Sequence, residues 1–260
     1  SILLNKKIII RSNLSPQGWK SSQIKKKIFK FLLTKANLII VNSEEFQKEM
    51  KKNYDINAIT IFNPTNLKEI KKLSTFKKKI HFFKKETINL INVGRLVQQK
   101  NQIEILQALI QLEDSISNFR LLIVGYGSEK EHLQNFINKF HLKKYVKIII
   151  AKNPYKFIKM SDVFISSSKF EGLPNVLLEA AYLNKYIISS NCKTGPKEII
   201  KRYKYGELYK TNNVRELSLK IKKLNKKKLS SNIKNFSNNL KVFNHKENLK
   251  KYSNAIKTLL

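Results

Sequence analysis

Glu179 lies among Val176, Leu177, Leu178, Ala180 and Ala181 in the stretch SSSKFEGLPNVLLEAAY (166–182), and a second carboxylate, Glu171, lies eight residues upstream. Burying an unpaired carboxylate is costly or neutralises it. A helix that keeps one on an apolar background therefore has a use for it, or a cation beside it. Pro174 suits the first turn of a helix, and Gly172 lets the chain enter it tightly. That places Glu171 in the loop before the helix and Glu179 in its second turn. The stretch Gly172, Leu173, Pro174, Asn175 opens the helix, and its free amides would attract a phosphate. Glu179, facing a polar opening, would hydrogen-bond a diol such as that of ribose. The plainer reading pairs it with a nearby Lys. The two carboxylates are not one helical turn apart, so they do not form a coupled acid/base dyad.

Three further stretches have the same strand–loop–helix form. In VGRLVQQKNQ (93–102) a strand ends at Gly94, Arg95 follows, and Lys100 opens a helix. Gly94 permits close backbone approach, and two cations near a helix N-terminus make an anion site. The Arg stands out in a chain that uses Lys almost everywhere, and its fork suits phosphate oxygens; the plainer reading is a surface residue. In IVGYGSEK (123–130) a G-x-G follows a strand, but Lys130 stands where a dinucleotide fingerprint has its third glycine, which favours an ordinary strand-to-helix turn. In SNCKTGPKEII (190–200) Gly195-Pro196 starts a helix with Glu198 in its first turn.

The elements that must position these residues form a regular pattern. Strands are expected at 87–95, 120–127, 146–151, 162–168, 185–190 and 206–210. Helices are expected at 101–112, 128–140 (capped by Ser128), 154–160, 174–184 and 195–202. That alternation predicts a parallel, doubly wound α/β sheet, with ligands at the carboxyl ends of the strands. Upstream, KIIIRSN (7–13), NLIIVNS (37–43) and AITIFNP (58–64) predict three strands of another, incomplete α/β unit. Between them SSQIKKKIFKFLL (21–33) is a basic amphipathic helix with Ile24, Ile28, Phe31 and Leu32 on one side. It is expected to pack on its own sheet, with a membrane-surface role as the alternative. Expected boundaries are a partial N-terminal Rossmann-like domain over 1–75, a linker over 76–86 within the Lys-rich segment 71–86, and a complete C-terminal domain over 87–240. A C-terminal helix is expected over 241–260, with packing back on the N-terminal domain as one option for it.

Composition narrows the partners. The 260 residues carry a net charge of +34, yet of the 52 basic residues only Arg11, Arg95, Arg120, Arg202 and Arg215 are arginine, leaving 47 Lys. Surfaces that read nucleic acid favour Arg, so no nucleic-acid partner is expected; an anionic membrane surface fits the charge better. A single cysteine, Cys192, excludes an internal disulfide and fits a reducing compartment. With Asp55, Asp114 and Asp162 as the only Asp and four scattered His, neither a D-x-D pair nor a zinc-type spacing occurs, and no metal is expected.

Taken in order, VGRLVQQKN, LLIVGYGSE, SDVFISSSKFEGLPNVLLEA and GPKEII resemble glycosyltransferase family 4, the retaining, nucleotide-sugar-dependent enzymes of the GT-B fold, across residues 88–210. LIIVNSEEF (38–46) and IFNPTN (61–66) look like the end of that family's N-terminal domain. The version EGLPNVLLEA looks most like bacterial enzymes of surface polysaccharide or lipopolysaccharide synthesis. The resemblance implies that Arg95 and Lys100 neutralise the donor diphosphate in place of a metal and that Glu179 holds the ribose. It implies that Glu171 contacts the donor sugar, that Gly94 and residues 172–175 face the phosphates, and that Asn153 and Pro154 bracket the base. It further implies transfer of a hexose or N-acetylhexosamine from a UDP-linked donor, without a cofactor, to a glycan or lipid-linked acceptor. The expected place is the cytoplasm or the inner face of its membrane. The chain departs from the family in lacking the Gly-rich loop and catalytic-site His of a full N-terminal domain. It is expected to be a fragment of a longer protein, the alternative being a donor-binding half without turnover of its own.

Overall fold

The structure, a computed structural model, describes residues 7–13, 23–75, 81–231 and 236–259. Positions 1–6, 14–22, 76–80, 232–235 and 260, which hold parts of the expected N-terminal domain, basic helix, linker, C-terminal domain and last helix, lie outside them. Two parallel sheets are formed. The first contains β1 (Ile9–Ser12), β2 (Leu38–Val41) and β3 (Ile59–Thr60), in that order, with α1 (Gln23–Thr34), α2 (Glu44–Tyr54) and α3 (Leu67–Ser74) between and after them. β3 is only two residues long, although AITIFNP predicts seven: Ile61 N still donates to Val41 O at 3.0 Å, but Asn63 bonds to Leu173 and Asn175 instead.

The second sheet runs β4 (Ile88–Val93), β5 (Phe119–Val124), β6 (Val146–Ile149), β7 (Val163–Ser166), β8 (Tyr186–Ser190) and β9 (Gly206–Tyr209) in sequence. Its helices are α4 (Gln102–Ile110), α5 (Lys130–Lys139), α6 (Tyr155–Met160), α7 (Asn175–Tyr182), α8 (Pro196–Tyr203) and α9 (Val214–Lys222). α10 (Lys226–Ser231) and α11 (His245–Lys257) follow. Strand order is β6-β5-β4-β7-β8-β9, all parallel, as the alternation predicted. Order reverses between β4 and β7, so the loops after these two strands flank a crevice at the switch point.

Period-two alternation sends successive strand residues to opposite faces. Leu90, Leu121, Ile123, Val163 and Ile165 join Ile105, Leu109, Leu133, Leu217 and Ile221 in one core. Ile91, Leu122, Phe164 and Ile187 join Leu177, Ala181, Ile199, Tyr203 and Phe243 in the other. The inner strands β4, β5, β7 and β8 are buried on both sides, which is why they read as largely apolar runs, whereas the edge strands β6 and β9 are partly exposed. A third, smaller core of Leu33, Ile39, Val41, Phe46, Met50, Ile56 and Ala58 belongs to the N-terminal sheet.

α1 departs from expectation. It docks through Leu33, whereas Ile28, Phe31 and Leu32 are 53%, 58% and 46% exposed. The apolar stripe therefore does not cover its own sheet; the side chain of Ile24 lies outside the described ones. Ser128 does not cap α5 either. Gly127 adopts φ +150°, and the amide of Glu129 donates to Leu96 O at 2.9 Å, so residues 127–129 form a turn and α5 starts at Lys130. α11 returns to the N-terminal sheet, Arg11 Nε donating to Tyr252 Oη at 2.6 Å, and just before α11 Phe243 O accepts from Thr65 N at 3.3 Å. No helix among the described residues is long and apolar enough to cross a membrane.

Candidate active site

The loop after β4 and the loop after β7 are bound together before any side chain enters the crevice. Gln99 Nε2 donates to Phe170 O (2.9 Å), Lys169 N to Gln99 O (2.8 Å) and Ser167 Oγ to Lys100 O (2.8 Å). Within the first loop Gln102 Nε2 donates to Arg95 O at 3.0 Å. The G-x-G after β5 serves this loop. A Cβ on Gly125 would lie 1.9 Å from Gly94 O, and one on Gly127 would lie 2.2 Å from Leu96 O, so both glycines are bare because the Gly94–Leu96 backbone rests on them. Gly94 itself has room, as its Cβ would meet only the Lys100 side chain at 3.8 Å.

Above these loops lies a cavity of about 850 Å³ lined by Gly94, Arg95, Lys100, Glu171, Gly172, Leu173, Pro174, Asn175 and Glu179, together with Arg11, Asn13, Asn42 and Asn63 from the N-terminal sheet. Lys100 Nζ stands 2.5 Å from Glu171 Oε1, so the proposed phosphate cation and the proposed sugar-contacting carboxylate are paired with each other. Arg95 is exposed on the cavity wall. Pro174 is the N-cap of α7 and not within its first turn, and Asn175 begins the helix. A Cβ on Gly172 would fall 2.0 Å from Asn13 O, and one on Gly195 1.9 Å from Gly172 O. Three chain segments thus pass one another at backbone distance in front of α7.

Glu179 is half-buried, on the side of α7 facing Tyr155, the first residue of α6. Burial pushes its carboxyl up to about 7, against the favourable effect of the Tyr155 hydroxyl. Among the described residues no Lys or Arg pairs with it, which removes the salt-bridge reading. It borders a second cavity of about 260 Å³, shared with Pro64, Thr65, Asn66, Glu69 and Asn175. Here Tyr155 is the lining residue. Its neighbours Asn153 and Pro154 support it, Asn153 Oδ1 accepting from Tyr155 N (3.0 Å) and Asn153 Nδ2 donating to Leu73 O (2.9 Å).

The remaining motif is structural here. Glu198 accepts from the Glu44 amide at 3.0 Å and lies 3.6 Å from Arg202, which also pairs with Glu44 at 2.6 Å, so GPKEII fastens α8 to the start of α2. Cys192 is buried, and burial together with the nearby Glu171 pushes its thiol up to about 12, which leaves it unreactive. Among the described residues no cluster of three His, Cys, Asp or Glu is placed to hold a metal ion.

Sequence reading missed the N-terminal contribution. Arg11 donates to Asn63 Oδ1 (2.8 Å), and Asn63 Nδ2 donates in turn to Asn175 Oδ1 (2.7 Å), which ties β1 and the loop after β3 to the start of α7. The signal was present: IIRSN, IIVNS and TIFNP each place an Asn just past a strand, at 13, 42 and 63. An Asn recurring at three strand ends marks one polar surface.

The chain is similar to known proteins in sequence and in fold. The family described as "Glycosyl transferases group 1" matches residues 74–251. An uncharacterized glycosyltransferase of Methanocaldococcus jannaschii is 36% identical over 179 residues, covering 66% of this chain and 44% of its own length. The N-acetylgalactosamine-N,N'-diacetylbacillosaminyl-diphospho-undecaprenol 4-alpha-N-acetylgalactosaminyltransferase of Campylobacter jejuni is 27% identical over 199 residues, covering 74% of this chain and 52% of its own length. The chain thus spans about half the length of these relatives. The crystal structure of Anabaena Alr3699/HepE in complex with UDP superposes with a TM-score of 0.79 over 99% of this chain and 74% of that one, at 15% identity. The fold is accordingly that of the GT-B glycosyltransferases. With more than half its length matched in one register, the chain belongs to the group 1 glycosyl transferases.

Proposed function

We propose that this chain is the donor-binding part of a glycosyltransferase that moves a hexose or N-acetylhexosamine from a UDP-linked donor, with retention, to a glycan or lipid-linked glycan acceptor in bacterial surface polysaccharide synthesis. The observation that carries this reading is the Lys100–Glu171 pair at the switch point, under the open start of α7, with Glu179 beyond it, bonded to Tyr155 and to no cation among the described residues. Arg95 and Lys100 would hold the diphosphate and stabilise the charge it gains as leaving group, which needs fixed cations aimed at one point and no cofactor. The amides at the start of α7 would face the same phosphates, Glu171 the sugar, and Glu179 the ribose hydroxyls. With the leaving group and the acceptor on one face of the sugar, the departing phosphate would take the acceptor proton. The cavity size suits a ligand of this class. The solved neighbour that carries UDP and the relative named for an undecaprenol-linked acceptor support the same reading.

Calorimetric titration with UDP and GDP tests it. UDP should bind, and Arg95→Ala and Glu179→Ala should each weaken it by about tenfold or more. Unchanged affinity in both variants would refute the site. A pH series adds a signed check. Ribose hydroxyls donate to a carboxylate, and Glu179 loses its charge as pH falls through about 7. The wild-type advantage over Glu179→Gln should therefore shrink as pH falls.

The acceptor side would work against an anionic membrane at the inner face. Exposed Ile28, Phe31 and Leu32 on α1, in a helix that also carries Lys25, Lys26, Lys27 and Lys30, support this. At low salt the protein should co-sediment with phosphatidylglycerol vesicles and not with phosphatidylcholine ones, and Ile28→Glu/Phe31→Glu should reduce binding several-fold. Equal recovery with both lipids, or no effect of the substitutions, would count against it.

A further inference from the structure

Next to the cation-bearing loop, but outside the cavity lining, the structure buries a carboxylate that none of the chemistry above uses. Glu104, in the first turn of α4, is 2% exposed and is followed by Ile105 and Leu106, both fully buried. First-turn acidic residues ordinarily face water, where they meet the helix dipole at no desolvation cost. Here burial pushes the carboxyl up to about 7, with the hydroxyl of Tyr209 and the backbone of Asn213 beside it. A leucine would fill this space without that penalty, so the carboxylate has a task.

Its partner identifies the task. Glu104 Oε2 accepts from Asn101 Nδ2 at 2.7 Å, and the same amide nitrogen lies 3.3 Å from Asn212 Oδ1. Asn101 is the residue immediately after Lys100. It sits in the left-handed region, φ 51° and ψ 40°, and its side chain makes no capping bond to its own helix. A left-handed turn costs a non-glycine residue free energy, and Asn pays least when its amide is held locally. That turn directs the preceding residue out of the helix and across the sheet end, where Lys100 O accepts from Ser167 and Lys100 Nζ meets Glu171.

We propose that Glu104 is a positioning residue: by holding the Asn101 amide it fixes the left-handed turn that aims Lys100 at the donor diphosphate. Glu104 itself touches no substrate. The inference rests on the donor reading given above and adds a residue that lies outside the cavity lining. It also accounts for why the buried group is polar on one edge only, since the remainder of α4 packs on the apolar sheet face.

The test is the affinity for UDP against that for UMP, by calorimetry on the whole chain, with melting temperature recorded beside each. Glu104→Ala should weaken UDP about tenfold while UMP changes less than about twofold, because the diphosphate depends on Lys100 more than the nucleoside does. Glu104→Gln keeps an oxygen for Asn101 and should retain UDP affinity. Adding Asn101→Gly to Glu104→Ala should restore UDP, since glycine adopts the left-handed turn without a held side chain. Asn101→Ala alone should reproduce the UDP-selective loss, which keeps the test open if Glu104→Ala does not fold. Proportional loss of UDP and UMP, or failure of the glycine to restore UDP in a protein that melts normally, would overturn the positioning role. Wild-type protein that binds neither UDP nor GDP would instead overturn the donor reading on which it stands.

Discussion

Lys100→Met should reduce donor affinity or transfer by about 10²–10³-fold, the range seen when a fixed group that stabilises leaving-group charge is removed. Two effects combine. The diphosphate loses a cation that the loop hydrogen bonds hold in place, and Glu171 is left buried without its partner. The side chains of Lys100 and Glu171 are 18% and 8% exposed, so the pair is largely desolvated and the stranded carboxylate would take up a proton or pull water in. The double variant Lys100→Met/Glu171→Gln separates these. Removing both charges should recover most of the lost thermal stability, because no unpaired charge remains, while UDP affinity stays low. Glu171→Gln alone should spare UDP, since it frees Lys100 for phosphate, and should lower turnover with the sugar nucleotide. Calorimetry with UDP and thermal melts on the four proteins measure the cycle. A double variant that binds UDP as tightly as wild type would exclude Lys100 from the phosphate site.

Gly195→Ala should be strongly destabilising. Gly195 caps α8 at φ 88° and ψ −60°, a region closed to residues with a Cβ, and the added atom would lie 1.9 Å from Gly172 O and 2.7 Å from Pro174 Cδ. Those are backbone and ring atoms at the start of α7, so nothing flexible can give way. We expect a loss of about 3 kcal/mol or more, by the combined cost of strain and overpacking. For a chain of this size that corresponds to roughly 6–12 °C in Tm. The matched control is Gly94→Ala. Its Cβ meets only the Lys100 side chain, at 3.8 Å, so its Tm should stay within about 2 °C of wild type. A Gly195→Ala protein as stable as the control would show that the approach of these segments is looser than described.

Much of this was legible in the residues. The double-sided sheet followed from continuous apolar strands spaced by helices, because a parallel strand buried on both faces has no polar positions to alternate. That Arg95, Lys100, Glu171 and Glu179 line one cavity followed from where they fall relative to those strands, since side chains at carboxyl ends of parallel strands must share one edge. Element ends were less legible: Ser128 is a good cap by type, but the amide of Glu129 was taken by Leu96, a contact with another loop.

By itself, then, the sequence determined the α/β class, the order of elements and the family, all of which depend on local periodicity and on motifs read within a few residues. The tertiary structure alone decided the pairings. It joined Lys100 to Glu171 across 71 positions, gave Glu179 a tyrosine in place of a lysine, and turned the apolar stripe of α1 outward. It also brought Arg11 and Asn63 to the start of α7, and set Glu104 behind Asn101. The recurring Asn at the strand ends marked a shared polar surface, but which partner each side chain meets depends on which segments cross at backbone distance, and crossings are set by bare glycines and close packing between elements remote in sequence.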